Sequence, residues 1–251
     1  MYTDTHCHLS KDDYKDIDEI VARADNNGVK RLFISGCDKK GILESVELSK
    51  KYENVYLELG FHPDEAEIVN ENDIKWLKEI IKNNEKVIAI GEIGLDYYWV
   101  KDNKEKQQKL FKSMISLAKE LNLPVVIHSR DAFQDTYDIL KEMNVKGVIH
   151  CFSGNIENAK MYTSLGFKLG IGGVSTFKNT KLKEVIKDIP LSSILLETDS
   201  PYLTQEPYRG TKNEPSYIPI IAENIAKIKG IPLENLSETI EKNVNEIFKI
   251  D

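Results

Sequence analysis

Short apolar runs alternate along the chain with longer stretches in which apolar residues recur every three or four positions. The short runs predict eight strands, at residues 2–5, 32–35, 55–59, 87–90, 125–127, 147–149, 167–171 and 194–196. KVIAIG and LPVVIH are continuous apolar runs, the pattern of parallel strands buried on both faces. Between the strands, Ile17, Ile20, Val21 and Ala24 follow a helical period, as do Trp76, Leu77, Ile80 and Ile81, and Leu110, Met114, Leu117, Ala118 and Leu121. Gly28 falls where a cap would end the first helix, and Pro124 stops the helix before it. Two more helical patterns, at 219–229 and 233–249, leave one helix beyond the eighth.

Eight strands each followed by a helix in 251 residues predict an α/β chain with one domain, a (β/α)8 TIM barrel over 1–251 with an extra C-terminal helix. A doubly wound open sheet is the competing fold. Its glycine-rich first turn is missing, since DTHCHL stands where GxGxxG would be. The irregular stretch 199–215, with three prolines and Arg209-Gly210, has the length of a functional loop.

A hydrophobic fraction of 41% argues against disorder. No apolar run nears the ~20 residues of a bilayer span, so no membrane association is expected. MYTDTHCHLS has neither the basic nor the apolar part of a leader, and three cysteines lack any CxxC spacing. A reducing cytoplasm is the resulting expectation. The absence of a heptad pattern makes a monomer the default. The net charge of -7 disfavours broad duplex binding through a basic face.

All five histidines fall just beyond predicted strands: His6 and His8 after the first, His62 after the third, His128 after the fifth and His150 after the sixth. Glu92 follows the fourth and Asp199 the eighth. Singly, each has a bland reading, a satisfied structural histidine or a capping carboxylate. In a barrel, however, the C-terminal strand ends converge on one mouth. Residues two apart in extended chain face the same way, so His6 and His8 can chelate one cation while Cys7 points away as a small buried side chain. Four or five imidazoles and two carboxylates exceed one tetrahedral zinc and suit two divalent ions sharing a carboxylate, with Zn, Mn, Fe or Mg all compatible.

DTHCHL, GFHP, GEIGLDYY, IHSRDA, IHCFSG and ETDSPYL, followed by RGTKNEPSYI, resemble the TatD family of metal-dependent deoxyribonucleases, in this order from Asp4 onward. The resemblance implies that His6 and His8 hold a first metal, Glu92 bridges both, and His128 and His150 hold the second. Asp199 would bind the first metal and act on the attacking water, and His62 would stand near the scissile phosphate. Arg209 falls in the substrate loop. Tyr97, Tyr98, Trp99, Phe152 and Tyr202 lie just beyond predicted strands, where each could stack on a base or pack under the loops. The implied activity is that of a nuclease using two divalent metal ions (Mg, Mn or Zn) and an activated water, read as a 3′–5′ exonuclease on single-stranded DNA, with RNA left open. Two ions would offset the negative total charge at the mouth. The alternatives are a hydrolase of a small ester, lactone, amide or aminoacyl-tRNA on the same centre, and a scaffold with an idle site. Fold alone does not choose among these.

Overall fold

The computed structural model describes residues 1–99 and 101–250. Eight strands alternate with helices: β1 (Tyr2–Cys7), β2 (Val29–Gly36), β3 (Val55–Leu59), β4 (Val87–Asp96), β5 (Val125–Arg130), β6 (Gly147–Ile149), β7 (Lys168–Ile171) and β8 (Ile194–Leu196). The helices are α1 (Ile17–Asn26), α2 (Lys39–Lys51), α3 (Glu71–Lys82), α4 (Lys104–Leu121), α5 (Phe133–Met143), α6 (Ile156–Ser164), α7 (Leu182–Asp188), α8 (Ile218–Lys229) and α9 (Leu233–Phe248). The strands form one sheet in the order β1 to β8. The pairs β1/β2, β3/β4, β4/β5, β5/β6 and β7/β8 are parallel. β8 lies beside β1, where the Thr5 hydroxyl donates to the Leu196 carbonyl. This is the topology of the (β/α)8 fold. No helix among the described residues is long and apolar enough to cross a membrane.

The chain packs as two compact units, Met1–Ile34 with His150–Asp251, and Ser35–Ile149. In the first, the Asp16 side chain caps α1 by accepting from the Glu19 N–H, and α1 buries Ile20, Val21 and Ala24. Gly28, at φ +81°, turns the chain toward β2, a conformation that glycine adopts without strain. α9 is the extra helix: it buries Leu236, Ile240, Val244 and Phe248, the last ring edge-on to Phe33 at 4.9 Å. Asn243 secures it by donating to the Leu191 and Ile194 carbonyls.

In the second unit, Asn70 and Asp73 close a capping box at the start of α3. All ten residues of β4 are buried, polar ones included. β4 therefore runs six residues past the predicted stop at Ile90, so Glu92 lies inside a strand and not beyond it. His6 and His128 likewise sit within β1 and β5. The apolar run ends where the strand's side chains turn polar, but the hydrogen-bonded ladder continues.

Candidate metal centre

In the first unit, strand alternation puts Asp4, His6 and His8 on one side of the chain leaving β1. The backbone after β8 is laced to them: the Asp199 N–H donates to the His6 carbonyl and the His8 N–H to the Ser200 carbonyl. Asp199, at φ +54°, is thereby aimed at both rings. Its Oδ1 lies 3.6 Å from His8 Nε2 and 4.0 Å from His6 Nε2. His150, just past β6, brings its ring to 4.0 Å from that of His6. His6, His150 and Asp199 each present a ligand atom within 4.8 Å of the other two. The resemblance pairs His150 with His128; within this unit His150 gathers with His6 and Asp199.

Burial opposes ionisation of Asp199, but the His8 hydrogen bond and the charges of His150, His8 and His6 outweigh it and hold the carboxyl below its usual range. Asp4, fully buried, behaves in the opposite way. Burial pushes its pKa up to about 8 although it accepts from the Thr198 N–H at 2.9 Å and hydroxyl at 2.6 Å. Glu197 supports His150: its Oε1 accepts from the Cys151 N–H and lies 3.6 Å from His150 Nδ1. Room for that carboxylate exists because residue 170 is glycine; a Cβ there would lie 1.9 Å from Glu197 Oε2.

In the second unit, His62 opens a short 3-10 helix (Pro63–Glu67) after β3, Glu92 lies in β4 and His128 in β5. These three also offer ligand atoms within 4.8 Å of one another. Glu92 Oε1 is the focus, 2.7 Å from His128 Nδ1 and 4.0 Å from His62 Nε2. β4 and β5 approach closely at Gly94, where a Cβ would meet the His128 carbonyl at 1.9 Å. His128 Nε2 faces Asp96 Oδ2 at 3.0 Å. Burial opposes ionisation of Asp96, yet the His128 hydrogen bond and the N–H groups of Trp99 and Tyr98 hold its pKa below the usual range.

Both clusters combine imidazole nitrogen with carboxylate oxygen, a donor set that suits Zn, Mn or Fe, and with added waters Mg. Ligands ~2.1 Å from a tetrahedral ion stand ~3.4 Å apart, and the separations of 2.7–4.0 Å bracket that spacing. The residues therefore fit divalent ions.

Family comparison bears on the same residues. The model of the TatD related DNase family matches residues 3–249. The chain belongs to that family. It is 43% identical to the uncharacterized metal-dependent hydrolase YabD of Bacillus subtilis, over the whole of both chains. It is 37% identical to the uncharacterized metal-dependent hydrolase YcfH of Escherichia coli K12, covering 99% of this chain and 96% of that one. The crystal structure of YJJV, a TatD homolog from Escherichia coli K12, is similar with a TM-score of 0.92 at 30% identity, covering 100% of this chain and 98% of that chain.

Two expected TatD substrate residues fall differently. Tyr97 is only 8% exposed: its hydroxyl donates to Asp135 at 2.7 Å, and Lys104 Nζ lies 4.3 Å from its ring centroid. Its ring is packed, whereas the two aromatics that follow it are more open. Tyr98 is 46% and Trp99 67% exposed, with the Arg130 guanidinium over both rings. Arg209 is exposed, with its guanidinium 4.2 Å above the Phe177 ring.

Sequence reasoning missed Asp4, Asp96 and Glu197. A signal existed. Asp4-His6-His8 and Glu92-Gly94-Asp96 run at period two along β1 and β4, and Glu197 stands two residues before Asp199, so each supporting carboxylate lies two or four positions from a candidate ligand.

Proposed function

We propose that this TatD-family chain is a divalent-metal-dependent nuclease that hydrolyses phosphodiester bonds, acting as a 3′–5′ exonuclease on single-stranded DNA. The coarser reading, a metal-dependent hydrolase of the TatD family, rests on the family match and the full-length relatives. The observation that carries the proposal is the pair of clusters, each joining two imidazoles to one carboxylate. By the family resemblance, His6, His8 and Asp199 would hold one ion, His128 and His150 a second, and Glu92 would serve both. Bound divalent ions supply water acidified to near-neutral pKa and charge to offset a phosphate.

The chain's own residues account for the remaining work. Asp199, kept ionised by its histidine neighbours, accepts a proton from the attacking water and orients it. The Asp64 N–H points at His62 Nδ1 at 3.3 Å. His62 Nδ1 also faces Asp64 Oδ2 at 3.2 Å, and the ring is placed to give a proton to the leaving oxygen. Arg209 supplies a fork for a phosphate, and Trp99 an exposed face for a base. The protein is proposed to act as a cytoplasmic monomer, with single-stranded nucleic acid as its macromolecular partner.

The test is a 5′-labelled single-stranded DNA incubated with purified protein and Mg or Mn. A ladder shortening from the 3′ end, abolished by chelator, is expected. Absence of cleavage with ions demonstrably bound, or turnover of lactones, esters or aminoacyl-tRNA far above that of DNA, overturns the nuclease assignment.

A further inference from the structure

His128 has a carboxylate at each ring nitrogen: Glu92 Oε1 2.7 Å from Nδ1 and Asp96 Oδ2 3.0 Å from Nε2. A neutral imidazole has one N–H and one lone pair, so only one nitrogen can serve an ion. The two carboxylates differ in their freedom to choose. Asp96 is almost fully buried and pinned from several directions. Its Oδ1 accepts the Tyr98 N–H at 2.9 Å and the Trp99 N–H at 3.0 Å. Gln107, fully buried in α4, accepts from the Asp96 N–H and donates to the Asp96 carbonyl, at 2.8 and 2.9 Å. Asn103 in turn accepts from Gln107 Nε2. Only Oδ2 is left for His128, and it lies on the far side of the ring from Glu92. Glu92 Oε1 instead belongs to the set that includes His62 Nε2.

We propose that Asp96 is a positioning residue for the metal centre: it takes the Nε2–H of His128 and so presents the Nδ1 lone pair to an ion shared with Glu92. The carboxylate touches neither ion nor substrate. Its effect passes through the ring, by fixing the tautomer and orientation and by raising the ligand's basicity. The same side chain anchors the backbone of the exposed Tyr98–Trp99 turn, so it links the turn that carries those rings to a ligating imidazole. The inference rests on the metal-hydrolase reading and is independent of nucleic acid as substrate.

Histidine-labelled protein loaded with Zn would be examined by long-range proton–nitrogen correlation, with His128→Asn to assign the ring. The expected result is a proton on Nε2 and none on Nδ1 of His128; a proton on Nδ1 overturns the proposal. Asp96→Asn is expected to weaken Zn binding about 10- to 100-fold by calorimetry and to change Trp99 fluorescence on Zn addition. Wild-type affinity in a folded Asp96→Asn protein overturns it as well. Should that variant not fold, the wild-type tautomer decides. Failure of wild-type protein to take up Zn would sink the metal centre itself, whereas bound Zn with the wrong tautomer would sink only the role of Asp96.

Discussion

Glu92 Oε1 and His128 Nδ1 stand 2.7 Å apart on adjacent strands, with Glu92 buried and His128 partly so. Parallel pairing of Gly94 with His128 sets the separation, and the missing Cβ at Gly94 permits it. His128→Ala removes one donor from the ion and the partner of a buried carboxylate at once. Divalent-ion affinity should fall more than about 100-fold, beyond the effect of losing an outer-shell partner. Stability without metal should also fall, by about 1–3 kcal/mol for the charge-assisted hydrogen bond lost from a buried carboxylate. Metal analysis and urea unfolding measure the two effects separately, and equal metal content in variant and wild type would refute the ligand assignment.

The space at Gly170 makes a second, purely steric prediction. Gly170→Ala would drive a methyl into Glu197 Oε2, 1.9 Å away, inside a fully buried strand pair. Either the carboxylate moves off Cys151 and His150 or the strands part. The expected loss is about 1–3 kcal/mol by denaturant titration. Gly41→Ala, where φ is not positive and a Cβ would make only an ordinary 3.5 Å contact with Asp38 Oδ1, is the control for handling and expression.

Chelation should lower thermal stability even in the absence of substrate. An ion held at about 100 times its Kd contributes roughly 2.7 kcal/mol by binding only the native state. For a chain of this length that corresponds to a Tm shift of about 5–10 °C. The check is a melt with and without EDTA, followed by readdition of Mn or Zn. A Tm indifferent to all three would mean that the clusters hold no ion at the concentrations used.

Where burial is apolar, the pattern of the chain predicts the strands to the residue: 55–59, 147–149 and 194–196 coincide with β3, β6 and β8. β4 escapes because its second half, Gly91 to Asp96, is buried for chemistry, and carboxylates and glycines carry no hydrophobic signal. The candidate ligands are legible because histidine is scarce and all five copies lie at or just past the C-terminal ends of strands. Asp4, Asp96 and Glu197 were harder to see, since each acts through a neighbour and an isolated carboxylate reads as surface. Tyr97 and Trp99 flank Tyr98 in a run of three aromatics that composition cannot rank. The turn decides between them, because Asp96 Oδ1 gathers the N–H groups of residues 98 and 99 while the Tyr97 hydroxyl reaches Asp135.

That placement of Tyr97 gives a pH prediction. Burial first, then the hydrogen bond to Asp135 and its charge, push the phenol up to about 12 against the donation from Gln108. The folded value lies above the unfolded value of about 10, so the fold favours the protonated form. The associated stability is fully present below pH ~10 and is lost as pH rises from about 10 to about 12. Tyr97→Phe should cost about 1 kcal/mol at pH 7 for one hydrogen bond, and the gap to wild type should narrow across that alkaline window. Urea midpoints at several pH values test this; a constant gap would show that the phenol titrates normally.

Trp99 should separate binding from chemistry. Its ring is 67% exposed, edge-on to Tyr98 at 4.8 Å, with the Arg130 guanidinium 5.3 Å from its centroid. Such a face offers a base both a stacking surface and a nearby positive charge, and neither discriminates among sequences. On the proposed nuclease reading, stacking on it would be the same in the bound substrate and in the transition state. Trp99→Ala should therefore raise KM for single-stranded DNA about 5- to 150-fold, from ~1–3 kcal/mol of stacking, with kcat changed less than about twofold. Tyr97→Phe, with its ring turned inward, should leave both constants near wild type. If Trp99→Ala left KM unchanged while Tyr97→Phe raised it, the ring facing the substrate would be the packed one, and the turn after β4 would have to open during binding.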